Sequence, residues 1–142
     1  MPPPPATALD AALARIGDRW SLLVVAALLD GPRRFSELRD AVGAIATNVL
    51  TQRLRSLEAG GLVITRPYSR RPLRSAYQLT AAGQDLAGAL RLLEQWGAET
   101  SGAAVATPAH PVCGTPLEVR WWCPSCDQAV DENDDDGAVV WA

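Results

Sequence analysis

The apolar residues of this chain change from a helical to an extended period at Gly60-Gly61. Upstream, Leu50, Leu54 and Leu57 recur at spacings of four and three, which is one face of a helix. Directly after the glycines, Leu62-Val63-Ile64-Thr65 run together and read as a strand. A second strand fits Ser75-Ala76-Tyr77-Gln78-Leu79, with Tyr77 and Leu79 on one face, after a loop from Arg66 to Arg74. The rest is helical in pattern. Leu9, Leu13 and Ile16 mark a helix from Thr7, interrupted by Gly17-Asp18. Trp20 to Leu29 reads as a buried helix stopped by Asp30-Gly31-Pro32. Ser36 is placed to cap a short helix with Leu38 and Val42 inward, ended by Gly43. Ala46 or Thr47 opens the helix that carries the leucine stripe. Thr80 is placed to cap a long last helix with a seam of Leu86, Leu90 and Leu93, extended by Trp96. Ser101 to Pro108 is a small-residue linker, and no internal repeat is apparent.

Four helices, a hairpin and a further helix, in that order, predict a mainly α fold with a small β-hairpin wing: a winged helix-turn-helix. A small C-terminal zinc-ribbon-like β unit follows it. The length of 142 residues and a hydrophobic share of 48% suit one compact domain with an appendage. The expected division is a disordered Pro-rich start at 1–6, a DNA-binding and dimerisation domain at 7–99, a linker at 100–109, the ribbon-like module at 110–130 and an acidic tail at 131–142. The aliphatic run Leu22–Leu29 falls far short of the ~20 residues that cross a bilayer. Met1 and the prolines that follow it lack the basic and apolar regions of a signal peptide, so no membrane partner and a cytoplasmic location are expected.

The net charge of −3 averages two opposite halves. Residues 1–99 hold 12 arginines against 9 acids, whereas residues 100–142 hold Arg120 against 7 acids. Every basic side chain is arginine, whose planar fork suits phosphates and base edges. Polarisation is strongest over 33–74, with nine arginines against Glu37, Asp40 and Glu58. A basic stretch in an acidic chain is the footprint of a nucleic-acid site or a solvated charged face.

In a helix-turn-helix one helix braces and the next enters the major groove. Residues 36–42 are the brace here, and 48–59 the reader. At 100° per residue Thr47, Asn48, Thr51, Gln52 and Arg55 fall within an arc of about 140°, away from the leucine stripe. That arc offers amides, hydroxyls and a guanidinium with no carboxylate, a set that pairs with base edges and phosphates. Arg53 flanks the apolar stripe, and either pairs with an internal acid or touches phosphate. Arg70 and Arg71 at the tip of the hairpin, with Arg74 behind them and Arg34 before the brace, complete the predicted contacts to double-stranded DNA.

These segments also resemble the HxlR family of winged-helix regulators. The resemblance is carried by Leu13-Ala14-Arg15-Ile16-Gly17-Asp18-Arg19-Trp20, by Gly31-Pro32-Arg33-Arg34-Phe35-Ser36-Glu37-Leu38, and most strongly by Leu50-Thr51-Gln52-Arg53-Leu54-Arg55-Ser56-Leu57-Glu58 with Gly61-Leu62-Val63. Tyr68, Pro72, Arg74, Tyr77-Gln78-Leu79-Thr80, Gly83 and Trp96 follow in family order. It spans about residues 7–97 and implies transcription control by a homodimer joined through its terminal helices. Leu9, Leu13, Leu86, Leu90, Leu93 and Trp96 would form that joint. Such proteins often carry a cysteine just before the first helix, used in some as a redox or electrophile sensor. Thr7 stands there, so a thiol switch at that place is not expected.

The chain's one histidine and all three cysteines lie together as His110-x2-Cys113-x9-Cys123-x2-Cys126. A two-residue gap lets one tight turn present two metal donors, and zinc takes four nitrogen or sulfur donors in a tetrahedron. The run Leu117 to Trp122 reads as a strand that brings the two pairs together. One structural Zn²⁺ per chain on His110, Cys113, Cys123 and Cys126 is the expected cofactor; a redox Cys123/Cys126 pair and incidental thiols are the alternatives. A thiol oxidoreductase is disfavoured by the absence of a second histidine and of an α/β scaffold, so no enzyme activity is expected. A zinc-dependent protein-interaction module on a winged-helix scaffold is a further alternative, opposed by the arginine-rich wing. The acidic run 131–136 is a solvated tail or a competitor for the arginine face. A small-molecule effector has room in this reading but no assigned chemistry.

Overall fold

The computed structural model describes residues 7–130. The Pro-rich start expected at 1–6 and the acidic tail expected at 131–142 lie outside the described residues. The chain divides into two compact units, Met1–Leu93 and Glu94–Ala142. The first holds helices α1 (Ala8–Ile16), α2 (Arg19–Leu29), α3 (Phe35–Val42) and α4 (Thr47–Ala59). Strands β1 (Val63–Arg70) and β2 (Leu73–Leu79) follow, then α5 (Ala81–Gln84). Helix α6 (Ala87–Ser101) begins in the first unit and ends in the second, which adds strands β3 (Trp121–Cys123) and β4 (Gln128–Val130). The first unit is a winged helix-turn-helix.

Side chains set the helix starts. Thr7 and Asp10 form a reciprocal capping box at α1, with the Asp10 N–H donating to Thr7 Oγ1 at 3.1 Å. Asp18 caps α2, accepting from the N–H groups of Trp20 and Ser21 at 3.0 and 3.1 Å. Helix α3 starts two residues earlier than Ser36 would allow as its cap. Glu37 reaches back to the Arg34 N–H at 2.7 Å, which makes Arg34 the cap residue and places Ser36 inside the first turn. The turn from brace to reader leaves α3 at Gly43, whose φ of 86° and ψ of −143° suit a residue without Cβ.

The leucine stripe is the centre of the core. Leu50, Leu54 and Leu57 are buried with Val24, Val25 and Leu28 of α2, Leu38 of α3, and Leu62, Val63 and Leu79 of the hairpin. Helix α2 packs on α3, α4 and β2, and α4 packs on β1.

Most of the segment expected as a loop from Arg66 to Arg74 is strand. The antiparallel ladder runs from Val63↔Leu79 through Pro67↔Ser75, slips one residue at Tyr68, and resumes at Ser69↔Arg74 and Arg70↔Leu73. Proline, which cannot donate to a ladder, is tolerated next to such a bulge. The turn therefore shrinks to Arg71-Pro72, and eight strand residues carry the wing about 25 Å from its root. Arg33 adds a third short pairing, exchanging N–H···O bonds of 3.0 and 2.8 Å with Tyr77.

The long helix expected after Thr80 is broken. Thr80 caps only α5, and its hydroxyl donates to the Gly61 carbonyl at 2.6 Å. A Cβ on Gly83 would lie 2.3 Å from the Leu62 carbonyl oxygen, so this first turn is pressed onto the hairpin root. The predicted seam divides in consequence. Leu90 is only 6% exposed within the core and offers no dimer surface, whereas Leu86 is half-buried against that core. Leu93 and Trp96 remain exposed at 53% and 66%.

In the second unit, residues 117–120 are not a strand. The pairing lies instead on either side of the short turns: an isolated bridge Ala109↔Pro116, and β3 paired antiparallel with β4. Between residues 109 and 129 only Cys123 is even half-buried.

Candidate nucleic-acid interface

Thr47, Asn48, Gln52 and Arg55 are exposed along α4, and Thr51 is half-buried among them. The Thr51 hydroxyl donates back to the Thr47 carbonyl at 2.9 Å, which leaves the side chains of Thr47, Asn48, Gln52 and Arg55 as the projecting groups. The helix starts after Ala46 with no side-chain cap, so its first N–H groups are available to an anion.

Arg53 is not part of that projecting set. Its Nε lies 3.4 Å from Asp18 Oδ1, with both side chains about a third exposed. The distance is that of an ion pair, but Nε is buried and makes no well-directed hydrogen bond. Asp18 thus serves two helices: it caps α2 and pairs with α4. Burial pushes its carboxyl up, and the Ser21 hydroxyl and N–H, Arg53 and the Trp20 N–H outweigh that and hold it below the usual range. Arg53 ties α4 to the start of α2 through Asp18, and nothing in the sequence pattern identified Asp18 as its acid.

Arg70, Arg71 and Arg74 are exposed on the wing and make no ion pair among the described residues. Residues 66–74 contain four arginines and no acid. Arg34 lies at the root, its guanidinium 4.8 Å from the centre of the Tyr68 ring and 3.9 Å from Glu37. The stacking partner was not foreseen, because Tyr68 reaches that position through the strand bulge. The result is a polar helix face and a long arginine-bearing hairpin on one unit.

The predicted metal ligands form two pairs. His110 Nδ1 lies 3.3 Å from Cys113 Sγ, and the Thr115 hydroxyl lies 3.2 Å from the same sulfur. Hydrogen bonds from Thr115 lower the Cys113 thiol below its usual range. Cys123 is lowered by the Cys126 N–H, the Cys126 side chain and the Ser125 N–H, while Cys126 is pushed up by its hydrogen bond to Cys123. Among the described residues no three His, Cys, Asp or Glu side chains are gathered closely enough to hold an ion. No helix among the described residues is long and apolar enough to cross a membrane.

Comparison with known proteins agrees with this architecture. The chain is 38% identical over 122 residues to an HTH-type transcriptional regulator of Mycobacterium tuberculosis, covering 84% of this chain and 77% of that one. It is 37% identical over 90 residues to the HTH-type transcriptional regulator YtcD of Bacillus subtilis, covering 63% and 71%. The crystal structure of ytcD superposes with a TM-score of 0.63 at 34% identity, over 68% of this chain and 99% of that one. The transcription factor PA1607 superposes with a TM-score of 0.75 at 25% identity, over 96% of each chain. The profile of the HxlR-like helix-turn-helix family matches residues 15–104, and the chain belongs to that family.

Proposed function

We propose that this DNA-binding transcriptional regulator acts as a homodimer on a pseudo-palindromic operator, with α4 in the major groove and the wing on flanking phosphate or minor groove. The single observation that carries the reading is the exposed set Asn48, Gln52 and Arg55 on α4, beside a wing whose exposed Arg70, Arg71 and Arg74 make no ion pair among the described residues. Asn or Gln reads adenine, and arginine reads guanine or phosphate. The dimer is supported by apolar groups that the fold leaves uncovered on its terminal helices. Leu9 and Leu13 are 65% and 48% exposed on α1, a helix that buries no residue. Leu92, Leu93 and Trp96 are exposed on α6. A nine-residue helix is marginal without such packing. Two reading helices about one turn of DNA apart, roughly 34 Å, would match half-sites about 10 bp apart.

The protein would work in the cytoplasm, where the DNA is, without catalysing a reaction. HypR, a structural neighbour at 31% identity, is described as a redox regulator. The present chain has no cysteine before Cys113, so a thiol sensor inside the family-matched region is not supported. Selection of genomic fragments by the purified protein, followed by footprinting, tests the proposal. A protected dyad with centres about 10 bp apart supports it. A site without a dyad, or a monomer by light scattering at micromolar concentration, contradicts it.

A further inference from the structure

The second unit uses one backbone device twice, a repeat that the sequence letters hide. His110-Pro111-Val112-Cys113-Gly114 and Cys123-Pro124-Ser125-Cys126-Asp127 have the same layout. Each places proline after the first donor and a left-handed residue after the second: Gly114 at φ 70° and Asp127 at φ 54°. Each is closed by equivalent antiparallel pairs. In the first, the His110 N–H donates to the Thr115 carbonyl at 2.8 Å beside the bridge Ala109↔Pro116. In the second, Cys123↔Gln128 and Trp122↔Ala129 occupy the corresponding positions. The left-handed step after the second donor folds both donors of a turn toward the same side.

We propose that these two turns are the halves of one structural zinc site, with His110 Nδ1 and the sulfurs of Cys113, Cys123 and Cys126 as its four ligands. The first half already has the spacing the metal requires. Zn–N and Zn–S bonds of about 2.0 and 2.3 Å at a tetrahedral angle put the donors about 3.5 Å apart, and His110 Nδ1 and Cys113 Sγ stand at 3.3 Å. Three sulfurs and an imidazole select zinc over magnesium or calcium. Four protein ligands leave no open position, so the ion is structural. Binding deprotonates three thiols and releases three protons, and the complex with neutral histidine carries one negative charge.

The energetic need is visible in the same segment. Residues 109–129 bury almost nothing, and Val112, Leu117, Val119, Trp121 and Trp122 are all exposed apolar groups. A segment this short gains little from hydrophobic burial, and a metal supplies that free energy instead. Residues 117–120, which join the two turns, can span about 13 Å when extended. That is enough for the turns to close on one ion from opposite sides.

The test is elemental analysis of the full chain purified without chelator, with cobalt titration of the unmodified protein as a second readout. The site predicts about one equivalent of zinc per chain and tetrahedral cobalt bands with thiolate-to-cobalt charge transfer saturating at the same ratio. Cys113→Ser, Cys123→Ser, Cys126→Ser and His110→Ala should each lower zinc retained through dialysis at least about tenfold, with the main melting transition of the winged helix unchanged. Absence of zinc together with a Cys123–Cys126 disulfide by mass spectrometry would overturn the site and favour a redox pair. About half an equivalent per chain would mean an ion shared between copies, and would also overturn it. Retention of zinc by Cys113→Ser or His110→Ala would overturn this donor set.

Discussion

Replacing Asp18 by alanine is expected to destabilise the first unit by about 2–4 kcal/mol, because one carboxylate holds three partners. The lost cap of α2 costs about 1 kcal/mol. Ser21 is 2% exposed, and its hydroxyl donates to Asp18 Oδ2 at 2.5 Å. Leaving that buried hydroxyl unsatisfied costs about 1–3 kcal/mol. The Arg53 pair adds less than about 1 kcal/mol, because both side chains are partly solvated. For a domain of this size the sum corresponds to a fall in Tm of roughly 10–25 °C, read at fixed protein concentration so that any dimer linkage is constant. Asp18→Asn keeps an acceptor for the two N–H groups and should cost about half as much. The folded carboxyl is held below its usual range. Its contribution is therefore complete above the unfolded value of about 4 and is lost as pH falls through the lower folded value. Asp18→Asn should flatten that acid limb. Thermal melts from pH 7 down to pH 3 read both effects. A cost within about 0.5 kcal/mol for Asp18→Ala, or an unchanged acid limb in Asp18→Asn, would refute the assignment of Asp18 as the post that holds α2 and α4.

Gln52→Ala should relax base preference at one position of each half-site and cost about 1–3 kcal/mol on the cognate duplex, read by competition titration. Arg53→Met should weaken cognate binding less than Arg55→Ala, since Arg53 pairs with Asp18 and Arg55 projects; the reverse order would place Arg53 at the DNA. Leu93→Glu with Trp96→Glu should convert the proposed dimer to monomer in sedimentation while leaving far-ultraviolet circular dichroism intact, whereas Leu90→Glu should unfold the first unit because that side chain is in the core. Leu54→Ala should cost about 2–5 kcal/mol in urea denaturation; a cost below about 1 kcal/mol would mean the stripe is not close-packed.

The parts of this fold most legible in the sequence are those where a period or a cap acts alone. Leu50, Leu54 and Leu57 announced a buried face and Thr7 the start of the first helix, whereas Asp18 read only as an interruption and proves to be the cap of α2. Ser36 misled because the capping interaction belongs to a glutamate reaching backward, and a serine in the right place is not proof of a cap. The wing was read too short because Arg66-Pro67 and Arg71-Pro72 look like loop chemistry, yet a bulge at Tyr68 lets the ladder continue past a proline. Leu86 and Leu90 share a helical period with Leu93, but only the break after α5 decides which of them face the core. The Asp18–Arg53 pair joins residues distant in sequence and has no local signature. In the second unit, letter comparison hides the repeated turn because histidine stands for cysteine and glycine for aspartate; the backbone dihedrals reveal it.

Reading by α4 with phosphate contact by the wing is tested most directly by binding isotherms for the full chain on a selected genomic duplex and on a scrambled one, at several salt concentrations. The expected result is at least about a thousandfold preference for the selected duplex and affinity falling steeply with salt. In Arg70→Ala with Arg71→Ala the preference should persist and the logarithmic salt slope should flatten by about 2. In Gln52→Ala the slope should persist and the preference should fall. Equal affinity for both duplexes, or a wing variant that keeps the full slope, would contradict the account of α4 as reader and the wing as phosphate clamp.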